Sequence, residues 1–131
     1  MATPVHAINF FEIPVADFDR AKRFYETILG YEMKERQTGS GRMAFFEHDI
    51  DNEGRGGAIV YDPAFYTPSA NGTLIYLNCE PDIQRVLDRI EPAGGKILQN
   101  KTPVAMTQDL GYWALILDSE GNRIALHSME D

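Results

Sequence analysis

The chain has 131 residues, enough for one domain whose core needs no covalent staples, and its 44% hydrophobic and 11% aromatic content is ordinary for a globular protein. Twelve basic residues against twenty acidic ones leave a net charge of −8, and no Lys/Arg stripe breaks it, which argues against nucleic acid as a partner. A lone Cys79 excludes an internal disulfide and a cysteine-rich metal cluster, and no apolar run reaches the ~18 residues of a membrane span. No basic segment leads into an apolar one at the start of the sequence, so the cytoplasm is the expected location. The acidic surface suits either solubility or a cationic ligand.

Residues Ile8 to Val15 read as a strand, apolar with Glu12 interrupting one face. Asp17 is placed to cap a helix to about Leu29, with Ala21, Phe24, Ile28 and Leu29 on one stripe and Gly30 closing it. Strands are expected around Glu32–Gln37, Met43–Glu47 and Gly57–Tyr61. The stretch from Asp62 to Gly72, rich in Pro, Ser and Asn, reads as a linker. A second series follows. It comprises a strand from Thr73 to Cys79, a helix from Asp82 to Ala93 ahead of Gly94-Gly95, and strands at Lys96–Gln99, Trp113–Asp118 and Arg123–Ser128. The connection from Asn100 to Tyr112 is long, and loops of that length either cover a site or simply wander.

The two series match. Asp51-Asn52-Glu53-Gly54-Arg55 recurs as Asp118-Ser119-Glu120-Gly121-Asn122, each time ahead of an apolar strand. Each half is therefore βαβββ, an α+β arrangement with a helix on one face of a mostly antiparallel sheet and the other face curling into a cup. The expected organisation is a single domain over residues 1–131, with module one at about 5–62 and module two at about 73–129.

Side chains alternate along a strand, so the helix-packing set identifies the cup-facing set. Phe11, Ile13 and Val15 pack the helix, leaving Phe10, Glu12 and Pro14 inward; Ile75, Leu77 and Cys79 pack, leaving Leu74, Tyr76 and Asn78 inward. In the last strand Arg123, Ala125 and His127 face the cup, and aligning the acidic turns matches Ala58 with Ala125 and Val60 with His127.

The motif Ile13-Pro14-Val15-Ala16-Asp17 leads to Arg20-Ala21-Lys22-Arg23-Phe24-Tyr25 and Leu29-Gly30-Tyr31. Together with Ala93-Gly94-Gly95-Lys96 and Asp118-Ser119-Glu120-Gly121-Asn122-Arg123-Ile124, it resembles the vicinal oxygen chelate superfamily. That superfamily includes glyoxalase I, the bleomycin- and fosfomycin-resistance proteins and the extradiol dioxygenases. The resemblance covers essentially the whole chain and implies the paired βαβββ fold and a homodimer. It is specific for fold and weak for chemistry.

Metal-dependent members hold a divalent ion with His and Glu from cup-facing strands. By register the corresponding positions here are Phe10, Ala58, Leu74 and Ala125, none of which carries a nitrogen, oxygen or thiolate donor. No metal and no other cofactor is therefore expected. Glu12, Glu47 and His127 are the remaining groups whose convergence would rebuild a centre, while His6 and His48 read as a strand flank and a solvated turn.

Glu12 is the first polar candidate, a carboxylate on an inward strand face where it serves as a general base or ligand anchor, or as glue to Arg123 or Lys96 at the rim. His127, on the inward face of the last strand, is a proton shuttle or a satisfied packing residue. Tyr76, Asn78 and Arg123 are candidate polar contacts, with Phe10, Leu74 and Trp113 as candidate apolar or stacking surface. Two functions remain open. One is a metal-free protein binding a small hydrophobic or cationic molecule in an aromatic-lined cup. The other is a glyoxalase-related lyase or isomerase with Glu12 as base and His127 or Tyr76 polarising a carbonyl.

Overall fold

The computed structural model describes residues 2–105 and 110–130. Its elements run in the expected order. They are β1 (Phe10–Pro14), α1 (Phe18–Leu29), β2 (Lys34–Thr38), β3 (Gly41–Phe45), a short 3-10 turn (Ile50–Asn52), β4 (Gly56–Tyr61), β5 (Ile75–Asn78), α2 (Ile83–Ile90), β6 (Lys96–Pro103), β7 (Tyr112–Leu117) and β8 (Arg123–Ser128). Two four-stranded sheets form, ordered β1-β4-β3-β2 and β5-β8-β7-β6, each with one parallel pair and two antiparallel ones. The chain is thus α+β, built from two βαβββ modules.

Each helix begins where its sequence dictates. The Asp17 carboxylate accepts from the Arg20 N–H at 3.1 Å, and the Asp82 carboxylate accepts from the Gln84 N–H at 2.9 Å. Helix α1 ends at Gly30, whose φ of 79° is left-handed and whose N–H donates to the Glu26 carbonyl. Phe18, Ala21, Phe24, Tyr25 and Ile28 form its buried face. Helix α2 is shorter than the expected Asp82–Ala93 and stops at Ile90, two residues before Pro92, which has no N–H to continue it. Ile83, Val86, Leu87 and Ile90 still pack, and one apolar cluster runs through both modules.

Strand parity follows the expected alternation. Ile13 and Val15 are buried while Phe10 and Glu12 are exposed; Leu77 and Cys79 are buried while Tyr76 and Asn78 are exposed. Glu12 lies opposite Ala58 in one sheet, and Tyr76 opposite Ala125 in the other, so Ala58 and Ala125 occupy matching places.

Two expectations are corrected. Strand β6 runs on to Pro103, so the long connection begins later than Asn100. Register shifts against β7 absorb the irregularity, and Thr102 stitches it by accepting from Gln99 Nε2 and donating to the Asn100 carbonyl, both at 2.8 Å. Part of that connection, 106–109, lies outside the described residues. The two acidic turns also differ in conformation. In the second, Gly121 takes the positive φ of 86°; in the first, Glu53 takes it at 59°. Gly54 serves instead for close approach, since a Cβ there would sit 2.6 Å from the Asp49 carbonyl oxygen.

Cys79 is buried at the end of β5, and desolvation pushes its thiol up to about 12. Iodoacetamide at pH 8 is expected to leave the folded protein unlabelled and to label it fully in urea. Equal labelling rates in both conditions would contradict that burial. Among the described residues no helix is long and apolar enough to cross a membrane.

Candidate functional site

Strands β1 and β5 each form the free edge of their own sheet, and no ladder joins them. Three hollows lie at or beside these edges, and a further one of about 530 Å³ is lined by Glu32, Phe45, His48 and Ile50. A hollow of about 470 Å³ takes Phe11 from β1, Tyr31 after α1, Phe46 after β3, and Leu74, Tyr76 and Asn78 from the β5 segment. A second of about 450 Å³ shares Tyr76 and Asn78 and adds Glu80, His127 and Met129. A third of about 230 Å³ lies where β1 ends, between Glu12, the linker and Arg123.

The structure therefore distributes the sequence-nominated residues. Leu74, Tyr76 and Asn78 come together in the first hollow, and Tyr76, Asn78 and His127 in the second. Glu12 and Arg123 share the third. Phe10 stacks in a tilted arrangement on Phe45, 6.2 Å between ring centres, and Trp113 lies opposite His127 in the β7–β8 ladder. Glu12, Glu47 and His127 fall in three different hollows, so they do not converge. Glu12 on β1 and Glu47 after β3 come from one sheet and His127 on β8 from the other.

The partners of the two polar candidates are also different from those anticipated. Glu12 makes no ion pair with Arg123 or Lys96 among the described residues. Its Oε1 accepts from the Tyr66 hydroxyl at 2.8 Å, and this carboxylate raises the Tyr66 pKa. His127 Nε2 lies 2.7 Å from the Leu110 carbonyl oxygen. A carbonyl only accepts, so in the neutral ring Nε2 carries the proton and Nδ1 is the acceptor nitrogen.

The side chains of Phe10, Ala58, Leu74 and Ala125, the positions that the resemblance assigned to metal ligands, end in carbon, and Ala58 and Ala125 are fully buried. Those side chains do not fit a divalent cation. Among the described residues no group of three or more His, Cys, Asp or Glu is placed to hold one.

Three residues that shape the third hollow went unnoticed in the sequence. Tyr66 was hidden in a linker, where an aromatic among Pro, Ser and Asn was the only signal. Asp118 and Asn122 were read as turn residues, yet both are buried. The Asp118 carboxylate accepts from the Tyr25 hydroxyl at 2.6 Å and from the Glu120 and Asn122 N–H groups at 2.9 Å. Burial pushes its pKa up, and these donors oppose that. Asn122 accepts from the Ser69 N–H at 3.0 Å and donates to the Pro14 carbonyl at 2.7 Å, pinning linker and β1 to module two.

The architecture is that of the glyoxalase/bleomycin-resistance/dioxygenase fold, as comparison with solved structures shows. A family enzyme of that description from Burkholderia phytofirmans PsJN matches with a TM-score of 0.67 at 14% identity, over 92% of this chain and 97% of that one. A glyoxalase/bleomycin resistance protein from Catenulispora acidiphila DSM 44928 matches with a TM-score of 0.62 at 24% identity, over 93% and 98%. Glyoxalase I from Zea mays matches with a TM-score of 0.65 at 21% identity, over 93% of this chain but 44% of its own. Within the fold, residues 8–47 match the family described as bleomycin resistance protein-like N-terminal. No curated protein matches this chain.

Proposed function

We propose that the protein binds a small, mainly apolar molecule without a metal, against the exposed face of β5, and does so as a cytoplasmic homodimer. The observation that carries this reading is the position of Tyr76 and Asn78, which line both the first and the second hollow amid apolar walls. Tyr76 is 55% exposed and Ile8 58%, and both line the first hollow, so a ligand there would cover apolar surface. Asn78 supplies an amide to orient the guest, although its Oδ1 already accepts from the Glu80 N–H at 3.0 Å. The alternative, with Glu12 as general base and His127 or Tyr76 polarising a carbonyl, gains no support, because Glu12 lines a different hollow from both.

Native mass spectrometry of protein purified without added metal or chelator tests the proposal. The expected result is a dimer carrying an organic adduct that survives EDTA. Tyr76→Ala is expected to weaken binding of that compound at least tenfold while leaving the melting temperature within a few degrees. A stoichiometric divalent ion whose removal releases the compound would overturn the metal-free reading.

A further inference from the structure

The third hollow borders the first, sharing Thr73 and Ile75 with it, and has a chemistry of its own. It is lined by opposite charges that do not meet: Glu12 from β1 and Arg123 from β8. No ion pair forms between them, although they face one space. Around them stand Thr67, Ser69, Asn71 and Thr73, a belt of small hydroxyl and amide groups.

Both charged groups have unused capacity. The Arg123 guanidinium donates through one terminal nitrogen to the Gly72 carbonyl at a long 3.4 Å. Its Nε is shut from solvent and has no acceptor among the described residues. An arginine offers five N–H donors, and a shielded, charged N–H without an acceptor is costly to keep. The Glu12 carboxylate accepts one hydrogen bond, from Tyr66, through Oε1. Its charge meets no cation among the described residues.

The walls are fixed. Asn122, only 4% exposed, ties the linker at Ser69 and β1 at Pro14 to the same side chain, which in turn donates to Asp118 at 3.0 Å. A volume of about 230 Å³ lies below the roughly 300 Å³ at which pockets begin to suit drug-sized ligands. A guest must therefore be small.

We infer that this hollow is a binding site for a small zwitterion of amino-acid size, its carboxylate on Arg123 and its ammonium group on Glu12. The guest's carboxylate takes the terminal guanidinium N–H groups of Arg123, one of which makes only the long bond to Gly72, and its ammonium gives Glu12 a counter-charge beside the Tyr66 hydroxyl. The belt of hydroxyls and amides takes the remaining polar hydrogens. A plain anion meets Glu12 at close range and a plain cation meets Arg123, so each half-ligand is disfavoured.

The test is a titration of ¹⁵N-labelled protein with neutral L-amino acids, and with acetate and ethylammonium as the two half-ligands, read by amide chemical shifts. Amino acids of small side chain are expected to shift the amides of residues 67–73 and Arg123 in a saturable way, with both half-ligands at least tenfold weaker. Arg123→Gln and Glu12→Gln are each expected to weaken the amino acid at least tenfold. Glu12 is exposed, so its variant keeps the fold and serves as the control should Arg123→Gln lose it. Acetate binding as tightly as the amino acids, no saturable shift with any amino acid, or unchanged affinity in Glu12→Gln would each overturn the inference. Tyr76→Ala is expected to leave this titration unchanged, which separates the site from the β5 surface.

Discussion

Asp118→Ala is expected to remove about 3–5 kcal/mol of stability at neutral pH, the range seen when a buried charged hub is lost. The side chain is a junction. It takes hydrogen bonds from the Tyr25 hydroxyl in module one, and from two backbone N–H groups and the Asn122 amide in module two. Deleting it strands the Tyr25 hydroxyl, which is fully buried, and frees the turn that carries Asn122. Tyr25→Phe deletes only one donor and is expected to cost about 1–1.5 kcal/mol. Urea unfolding at pH 7 measures both. A loss below 1 kcal/mol for Asp118→Ala would mean that water replaces the network. With a typical domain holding only about 5–15 kcal/mol, the expected loss leaves a weakly folded protein.

The consequence reaches the third hollow. Asn122 holds linker and β1 in place, and Asp118 holds Asn122, so the small hollow depends on a residue that does not line it. Loosening the turn is therefore expected to alter the space between Glu12 and Arg123 without changing either charge.

The sequence carried the modules because their signals are local. Asp17 and Gly30 mark one helix by hydrogen bond and by backbone conformation, and neither needs the rest of the chain. Alternation along β1 and β5 separated Ile13 and Leu77 from Glu12 and Tyr76, since burial on one face enforces period two. The distribution of candidate residues was not legible. Glu12 and His127 both point inward by parity, yet they fall in different hollows because β1 and β5 are edges of separate sheets. Parity reports a face; it says nothing of how two sheets meet. The repeat in the acidic turns was similarly misleading, since identical spacing of Asp, Glu and Gly produced two backbone conformations.

Glu120 sets the second large expectation, which concerns acid. Its side chain is fully buried and clasps module one. Oε1 accepts from the Ala16 N–H at 3.0 Å and the Asp17 N–H at 2.8 Å, and the Arg20 guanidinium donates to both carboxylate oxygens at 2.7 and 2.9 Å. Desolvation pushes the carboxyl upward, but the Arg20 guanidinium, the two backbone N–H groups and the Ser119 hydroxyl outweigh it and hold it below the ordinary 4.5. A carboxylate whose folded pKa is depressed contributes stability that is whole above its unfolded pKa and is lost as pH falls through the folded one. Glu120→Gln is therefore expected to cost about 2 kcal/mol at pH 7, where the new amide turns a donor toward Arg20. Because Arg20 is half exposed, solvent screens part of the pair, and the backbone N–H donors of Ala16 and Asp17 carry much of that figure. The gap between wild type and variant is expected to persist at pH 6 and to close progressively below pH 4.5. Asp118 works in the opposite sense. Burial raises its pKa above 3.8, so its protonation favours the fold as pH falls and partly offsets the loss at Glu120. Urea midpoints from pH 7 to pH 3.5 resolve the two. A wild-type-to-variant gap independent of pH would show that Glu120 acts by shape rather than by charge, and one that widens in acid would reverse the sign argued for it.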